Sequence, residues 1–203
     1  MKWKVLARVA AVSSCLLGHA AFAETIEPSA AQNPPPSMAL ASFDQFELVP
    51  IEMGAPYAKN KGNQKAVAKL QEHLERDLGS LLQDWNNKAS RNEPPRKMLI
   101  QPRVEKIRFI GGGKRFFAGA FAGKSAILMR VRFVDAASGE EIADPEFYQH
   151  AAAMAGAWSV GGADNAMLAR ESTLIVQYVA ANYEEAIGGP TRLPDEQKGE
   201  KEQ

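Results

Sequence analysis

The stretch AGAFAGKS, Ala118 to Ser125, sets Gly123-Lys124-Ser125 behind Ala118 at the spacing of a phosphate loop, with alanine in place of the first glycine. Such a loop cradles phosphate only when it comes after a buried strand and its Lys-Ser opens a helix whose first amides face the anion. Neither condition is met. Gly111-Gly112-Gly113-Lys114-Arg115 precedes the motif. After it, Ile127, Met129, Val131 and Phe133 alternate with Leu128, Arg130, Arg132 and Val134, the period of a half-buried strand. Nucleotide binding is not expected, and no cofactor is implied.

Other constellations are also incomplete. His73 lies between Glu72 and Glu75 with no second histidine four residues away, so it reads as a solvated helix-face residue and not as half of a zinc pair. His150 falls at a strand end with no partner pattern, and no metal is expected. Ser159 and Ser172 lack a neighbouring base and a Gly-x-Ser-x-Gly elbow. The acidic pairs Glu140-Glu141 and Glu184-Glu185 fall at a turn and a helix end, where solvation explains them. The least ordinary segment is Lys114-Arg115-Phe116-Phe117 together with Phe121 and Lys124. Its aromatics and cations among glycines form a candidate interaction segment for a protein or a membrane surface, while the plainer reading is aromatic cover for a sheet edge.

The first 23 residues have the form of an export signal: Lys2, Lys4 and Arg8 precede the apolar run Val9 to Ala20, which ends at Ala21-Phe22-Ala23. The run is shorter than the roughly 20 residues a spanning helix needs, and cleavage is expected after Ala23. A competing reading takes Val12-Ser13-Ser14-Cys15 as a lipobox with Cys15 lipidated. Against it stand the short apolar core before Cys15 and the apolar Leu16-Leu17 after it. Cys15 is the only cysteine, so a chain cleaved after Ala23 has no disulfide or thiolate chemistry. Lysine plus arginine and aspartate plus glutamate both number 24; loss of the leader's three cations leaves a mildly acidic chain. That balance points away from nucleic acid.

Residues 24–41, with Pro34-Pro35-Pro36, read as a stiff extended tether. Residues 42–188 read as one α/β domain, and residues 189–203, opening with Gly189-Pro190, as a disordered charged tail. Within the domain, Phe43 to Met53 reads as a first strand with Val49, Ile51 and Met53 on one face, and Pro50 marks an edge or an end. From Gln64 to Lys88, Val67, Leu70, Leu74, Leu78, Leu81 and Trp85 recur at helical intervals. Met98 to Ile110 reads as a second strand with a bulge near Glu105-Lys106. Ser125 to Asp135 and Glu141 to Ala152 form a hairpin across a turn at Ala136 to Gly139. Asp164 reads as the N-cap of a last helix running to about Ile187. The order β-α-β-β-β-α predicts a mixed, mostly antiparallel sheet of about four strands with two helices on one face.

The segment GGGKRFFAGAFAGKSAILMRVRFVDAASGEEI resembles uncharacterised Gram-negative cell-envelope proteins of a domain-of-unknown-function type, many of them lipoproteins. In that family a Gly-Ala-rich link leads to a strand ending in Asp-x-x-(Ser/Thr)-Gly, which here is Val134 to Glu140. The layout is more distantly similar to the periplasmic domain of the curli secretion channel and of lipoprotein activators of cell-wall synthases. The resemblance implies an envelope location and carries over no catalytic residues. The expected function is an exported periplasmic or envelope-associated binding or assembly protein without enzymatic activity, with another envelope protein as partner at a sheet edge or the Phe-rich segment. Membrane association enters only through Cys15 or that segment, and an oligomer is compatible with either. The alternatives are a lipid-anchored outer-membrane accessory of a secretion or cell-wall machinery, and an enzyme acting on an envelope substrate.

Overall fold

The computed structural model describes residues 26–90, 92–109, 125–151 and 162–194. The chain folds as a mixed α+β domain. In order it forms β1 (Gln32–Asn33), a 3₁₀ turn (Leu40–Ser42), β2 (Gln45–Leu48), β3 (Glu52–Met53), α1 (Ala55–Ala58), α2 (Lys61–Asn86) and β4 (Lys97–Arg108). It continues with β5 (Ala126–Asp135), β6 (Glu141–Ala143), β7 (Glu146–His150), α3 (Gly162–Ala181) and β8 (Gly189–Pro190).

The main sheet runs β2-β4-β5-β6, with β3 also on β4 and β7 also on β5. The contacts of β2 and β3 with β4 are parallel, and those of β5 with β4, β6 and β7 are antiparallel. The expected sheet is thus present, with two of its strands each broken in two. The first breaks around Pro50, which cannot donate to a ladder. The phase slips there, so that Ile51 and Met53 pack toward the core while Val49 borders a small hollow with Pro50, Gln101 and Arg103. The return strand breaks at Asp144-Pro145, where the Pro145 carbonyl still accepts from Val131 N at 3.1 Å. The expected bulge in β4 lies between Val104 and Lys106.

Helix α2 begins where Asn60 Oδ1 accepts from the amides of Gly62 at 2.8 Å and Asn63 at 3.2 Å, a side-chain N-cap that places Lys61 to Asn63 inside the helix. Its buried stripe is Ala66, Leu70, Leu74, Leu78, Leu82 and Trp85. Each fully buried leucine contributes about 2 kcal/mol of transfer free energy. Val67 and Leu81 flank the stripe. Helix α3 contributes Met167, Leu168, Leu174, Ile175, Tyr178 and Val179 to the same core. Asp164 sits buried in its first turn and not at the cap. The helix stops at Asn182, before the expected end near Ile187. The Asn182 carboxamide accepts from the amides of Ile187 (2.9 Å) and Gly188 (2.8 Å) and donates to the carbonyls of Tyr178 (2.8 Å) and Gly188 (3.0 Å). Just beyond, Tyr183 stacks on Trp85 at 3.9 Å between ring centroids, joining the C-terminal ends of both helices.

The hairpin turn forms as the sequence predicts. Gly139 has φ of +74°, and Asp135 Oδ1 accepts from the amides of Ala137 (2.8 Å) and Ser138 (3.3 Å). Asp135 Oδ2 takes the Arg96 guanidinium at 2.7 Å, and Arg96 lies over the Phe43 ring. The Val134 to Glu140 motif therefore shapes a turn and ties it to the start of β4.

The segments expected as tether and tail differ most from expectation. Ile26, Asn33 and Leu40 are buried, and β1 pairs antiparallel with β8, Gln32 opposite Pro190 and Asn33 opposite Gly189. Ile26 and Leu40, on either side of the prolines, cover apolar surface of the domain, and the described part of the tail supplies β8 and the buried Thr191.

Candidate functional site

Both long helices pack on one face of the sheet. The register of the other face decides what it can bind. Arg108 ends β4, Ala126 opens β5 and His150 ends β7, and the pairings place them in one cross-strand row. The bulge restores the phase so that the next row is Lys106, Leu128 and Tyr148, and the third is Arg103, Arg130 and Glu146. With strands about 4.8 Å apart, the small Ala126 lies between two long side chains, Arg108 and His150, roughly 10 Å from each other across the row. The result is a hollow flanked by Arg108 and His150.

Two straps raise its walls. The N-terminal strap is held where Ser29 donates from both its amide (2.7 Å) and its hydroxyl (2.6 Å) to Glu146 Oε2. Ile26 joins Ala126, Leu128 and Tyr148 in a small apolar cluster beneath it. The C-terminal strap crosses at Thr191, whose amide donates to Ala31 O (3.1 Å), whose hydroxyl donates to Ala30 O (2.7 Å), and whose carbonyl accepts from Tyr148 N (2.8 Å). Together they enclose an open groove of about 1130 Å³, bordered by Glu27, Gln32, Arg108, His150, Arg192 and Pro194 among others.

Away from the groove the cations are matched: Arg103 with Glu105, Arg130 with Asp144 and Glu146 (2.9 Å each), and Arg132 with Glu141 (3.1 Å). Burial pushes the Glu146 carboxyl up, but the hydrogen bonds from Ser29 and the pairing with Arg130 outweigh it and hold the group below the usual range. Among the described residues that line the groove are Arg108, Arg192, His150 and Glu27.

Asparagine side chains clip both edges of the sheet. Asn33 Nδ2 donates to Glu146 O and its Oδ1 accepts from Glu146 N, each at 2.8 Å, so one carboxamide stands in for a neighbouring strand on β7. Asn86 does the same on β2, accepting from Phe46 N at 2.7 Å and donating to Phe46 O at 2.9 Å. Ser37 N adds a bond to Ile142 O on β6 at 2.8 Å. On the hairpin edge, these ladder groups of β7 and β6 are already spent on the chain's own straps.

Of the residues singled out in the sequence, Lys114, Arg115, Phe116, Phe117, Phe121 and Lys124 lie outside the described residues, as do Cys15 and Ser159. The phosphate-loop-like motif leads into strand β5, with Ser125 buried and its carbonyl accepting from Ala151 N at 2.8 Å. His150 reaches the groove, with its ring 5.8 Å from that of Tyr148. His73 is only half solvated. Its Nδ1 is 3.0 Å from the Arg76 guanidinium, its Nε2 is buried without a partner, and burial together with Arg76 and Lys69 lowers its pKa. Glu141 pairs with Arg132, while Glu184 and Glu185 are exposed. Sequence reasoning missed Arg108 and Arg192, because their shared location depends on register and on strap contacts, not on local spacing. It also missed Glu171 on α3, fully buried with neither carboxylate oxygen hydrogen-bonded, whose pKa burial raises well above the ordinary value.

No family model and no curated protein matches the chain. Among solved structures it is similar to a dodecamer of PelC from Paraburkholderia phytofirmans, at 14% identity over 76% of this chain and 95% of that one, with a TM-score of 0.38. It is also similar to a protein from Xanthomonas campestris described under the family model DUF330, at 10% identity over 72% and 86% of the two chains, TM-score 0.41. A hypothetical protein from Chlamydia trachomatis shows 10% identity over 70% and 96%, TM-score 0.38.

Proposed function

We propose that the protein is an exported, non-enzymatic binding domain of the cell envelope and that its ligand seats in the groove on the helix-free face. The observation that carries the reading is the groove itself, concave and built from one cross-strand row and two straps. The N-terminal pattern of Lys2, Lys4 and Arg8 before an apolar run supports export, and the resemblance of the Val134 to Glu140 segment supports an envelope setting. A photo-crosslinking residue placed at Gln32 or Arg192, both exposed on the straps, is expected to give a discrete adduct in intact cells. The same residue at Asp84, exposed on α2, is expected to give none. Equal labelling from all three positions, or none from the straps, overturns the reading.

A further inference from the structure

We propose that α3 is held in the fold by two proton-sensitive contacts of opposite sign: acid loosens it through His73, on α2, and tightens it through its own Glu171. His73 lies on the flank of α2 that meets α3. One turn on, Asp77 is drawn below the ordinary carboxyl value first by Arg76 and in the smallest part by Ser172 of α3, whose Oγ is buried without a well-formed hydrogen bond. Arg76 also sets the protonation site of the ring. A guanidinium can only donate, so His73 Nδ1, at 3.0 Å from it, accepts, and the ring proton sits on Nε2, buried and unpartnered. A second proton has to enter at Nδ1. There it displaces the Arg76 contact and sets two cations side by side. The nearby acids are already taken: Glu72 pairs with Lys69 at 2.6 Å and Asp77 with Arg76 at 2.7 Å, and among the described residues the charges that act on His73 all come from α2. Once α3 opens, the ring takes up its proton near the ordinary value of 6.5, which the packed state resists. Packing therefore weakens as pH falls through that value.

Glu171 has the opposite sign. It is fully buried, neither carboxylate oxygen is hydrogen-bonded, and burial alone raises its pKa, with no charge among the described residues to offset it. Strand β7 turns Phe147 and Gln149 toward α3, where Gln149 Oε1 takes the Arg170 guanidinium at 2.8 Å, while Glu146 and His150 face the straps and the groove. Strand β8 brings only Gly189 and Pro190, and Asp164 lies back in the first turn of the helix. Ionising in place would bury a bare charge, so Glu171 ionises when α3 opens, and packing weakens as pH rises above the ordinary 4.5. In mildly acid solution the two slopes oppose each other. The balance reaches beyond α3, because Tyr178 Oη donates to Pro34 O at 3.3 Å and ties the helix to the N-terminal strap.

The test is hydrogen exchange of the intact chain at about pH 5.5 and about pH 7, each rate divided by that of an unstructured peptide at the same pH. The readout is protection of the α3 amides of residues 168–176. In Glu171→Gln, which leaves His73 to act alone, protection is expected to fall at least about twofold on acidification; in His73→Gln it is expected to rise at least about threefold, with wild type between them. His150→Gln, on the groove face, is expected to follow wild type. An acid response unchanged from wild type in either of the first two variants, or a His150→Gln protein that responds as His73→Gln should, overturns the proposal. If either variant fails to fold by circular dichroism, the His73 ring is titrated by NMR in wild type and in Arg76→Gln. A value below 6.5 that rises in Arg76→Gln is expected, and one at or above 6.5, or one indifferent to Arg76, overturns the proposal.

Discussion

Glu171 is the residue whose environment departs furthest from what its chemistry prefers. Its carboxyl is wholly buried without a hydrogen bond, so the native state favours the neutral form and its pKa lies well above the ordinary value of 4.5. Below that ordinary value both folded and unfolded chains hold the proton. As pH rises toward the folded pKa only the unfolded chain gains by ionising, and stability falls. Glu171→Gln is therefore expected to unfold at a higher temperature than wild type at pH 8, with the gap closing toward pH 4, as followed by thermal melts across that range. Two glycines give a contrasting pair. Gly139 has φ of +74° with open space around a would-be Cβ, so Gly139→Ala should cost about 1 kcal/mol from backbone strain alone. Gly188 has φ of +77°, and its Cβ would come within 2.4 Å of the Asn33 carbonyl oxygen, so Gly188→Ala should cost at least about 3 kcal/mol in urea unfolding. Gly139 is legible in the sequence because it closes a turn between alternating runs. Glu171 is not, since one glutamate beside the apolar stripe of a helix carries no local sign of which way it faces.

At the scale of elements, the asparagine clips do the work that outer strands do in wider sheets. Asn33→Ala removes a buried donor and acceptor together and strands the Glu146 amide and carbonyl, an expected loss of about 2 kcal/mol. Faster hydrogen exchange at the Glu146 amide would show that the loss comes from the edge of β7. Asn86→Ala, at a part-buried site, should cost about 1 kcal/mol and expose the Phe46 amide in the same way. Helix α2 can be read from its three-and-four spacing, and β5 from its alternation, because a core-facing element repeats its own geometry along the chain. The clips join residues 113 and 40 positions apart, and no local pattern reports them. The breaks at Pro50 and Asp144-Pro145 are legible only in part: proline signals a missing donor but does not say how the ladder resumes.

For the whole molecule, the segments flanking the domain turn out to be structural. Deletion of residues 24–41 removes the fully buried Leu40 together with Ile26 and Asn33, and should lower stability by at least about 3 kcal/mol in urea unfolding, where a mere tether would be lost without effect. The layered plan of sheet and helices can be reached from element order. The groove cannot, because it arises only once the β4 bulge brings Lys106 and Arg108 to one face and the straps close over Ala126. The pairing of β1 with β8 also has a mechanical side. Gln32 faces Pro190 and Asn33 faces Gly189 in antiparallel register, so a pull applied through residues 26 and 194 meets the ladder at its open end. Loaded that way the bonds part in succession, as in a zipper, and share none of the force with the longer β4–β5 ladder. Tension between the two flanks would therefore peel away the groove walls before it reached the core, and a force-extension trace should show a small early release ahead of the main unfolding event.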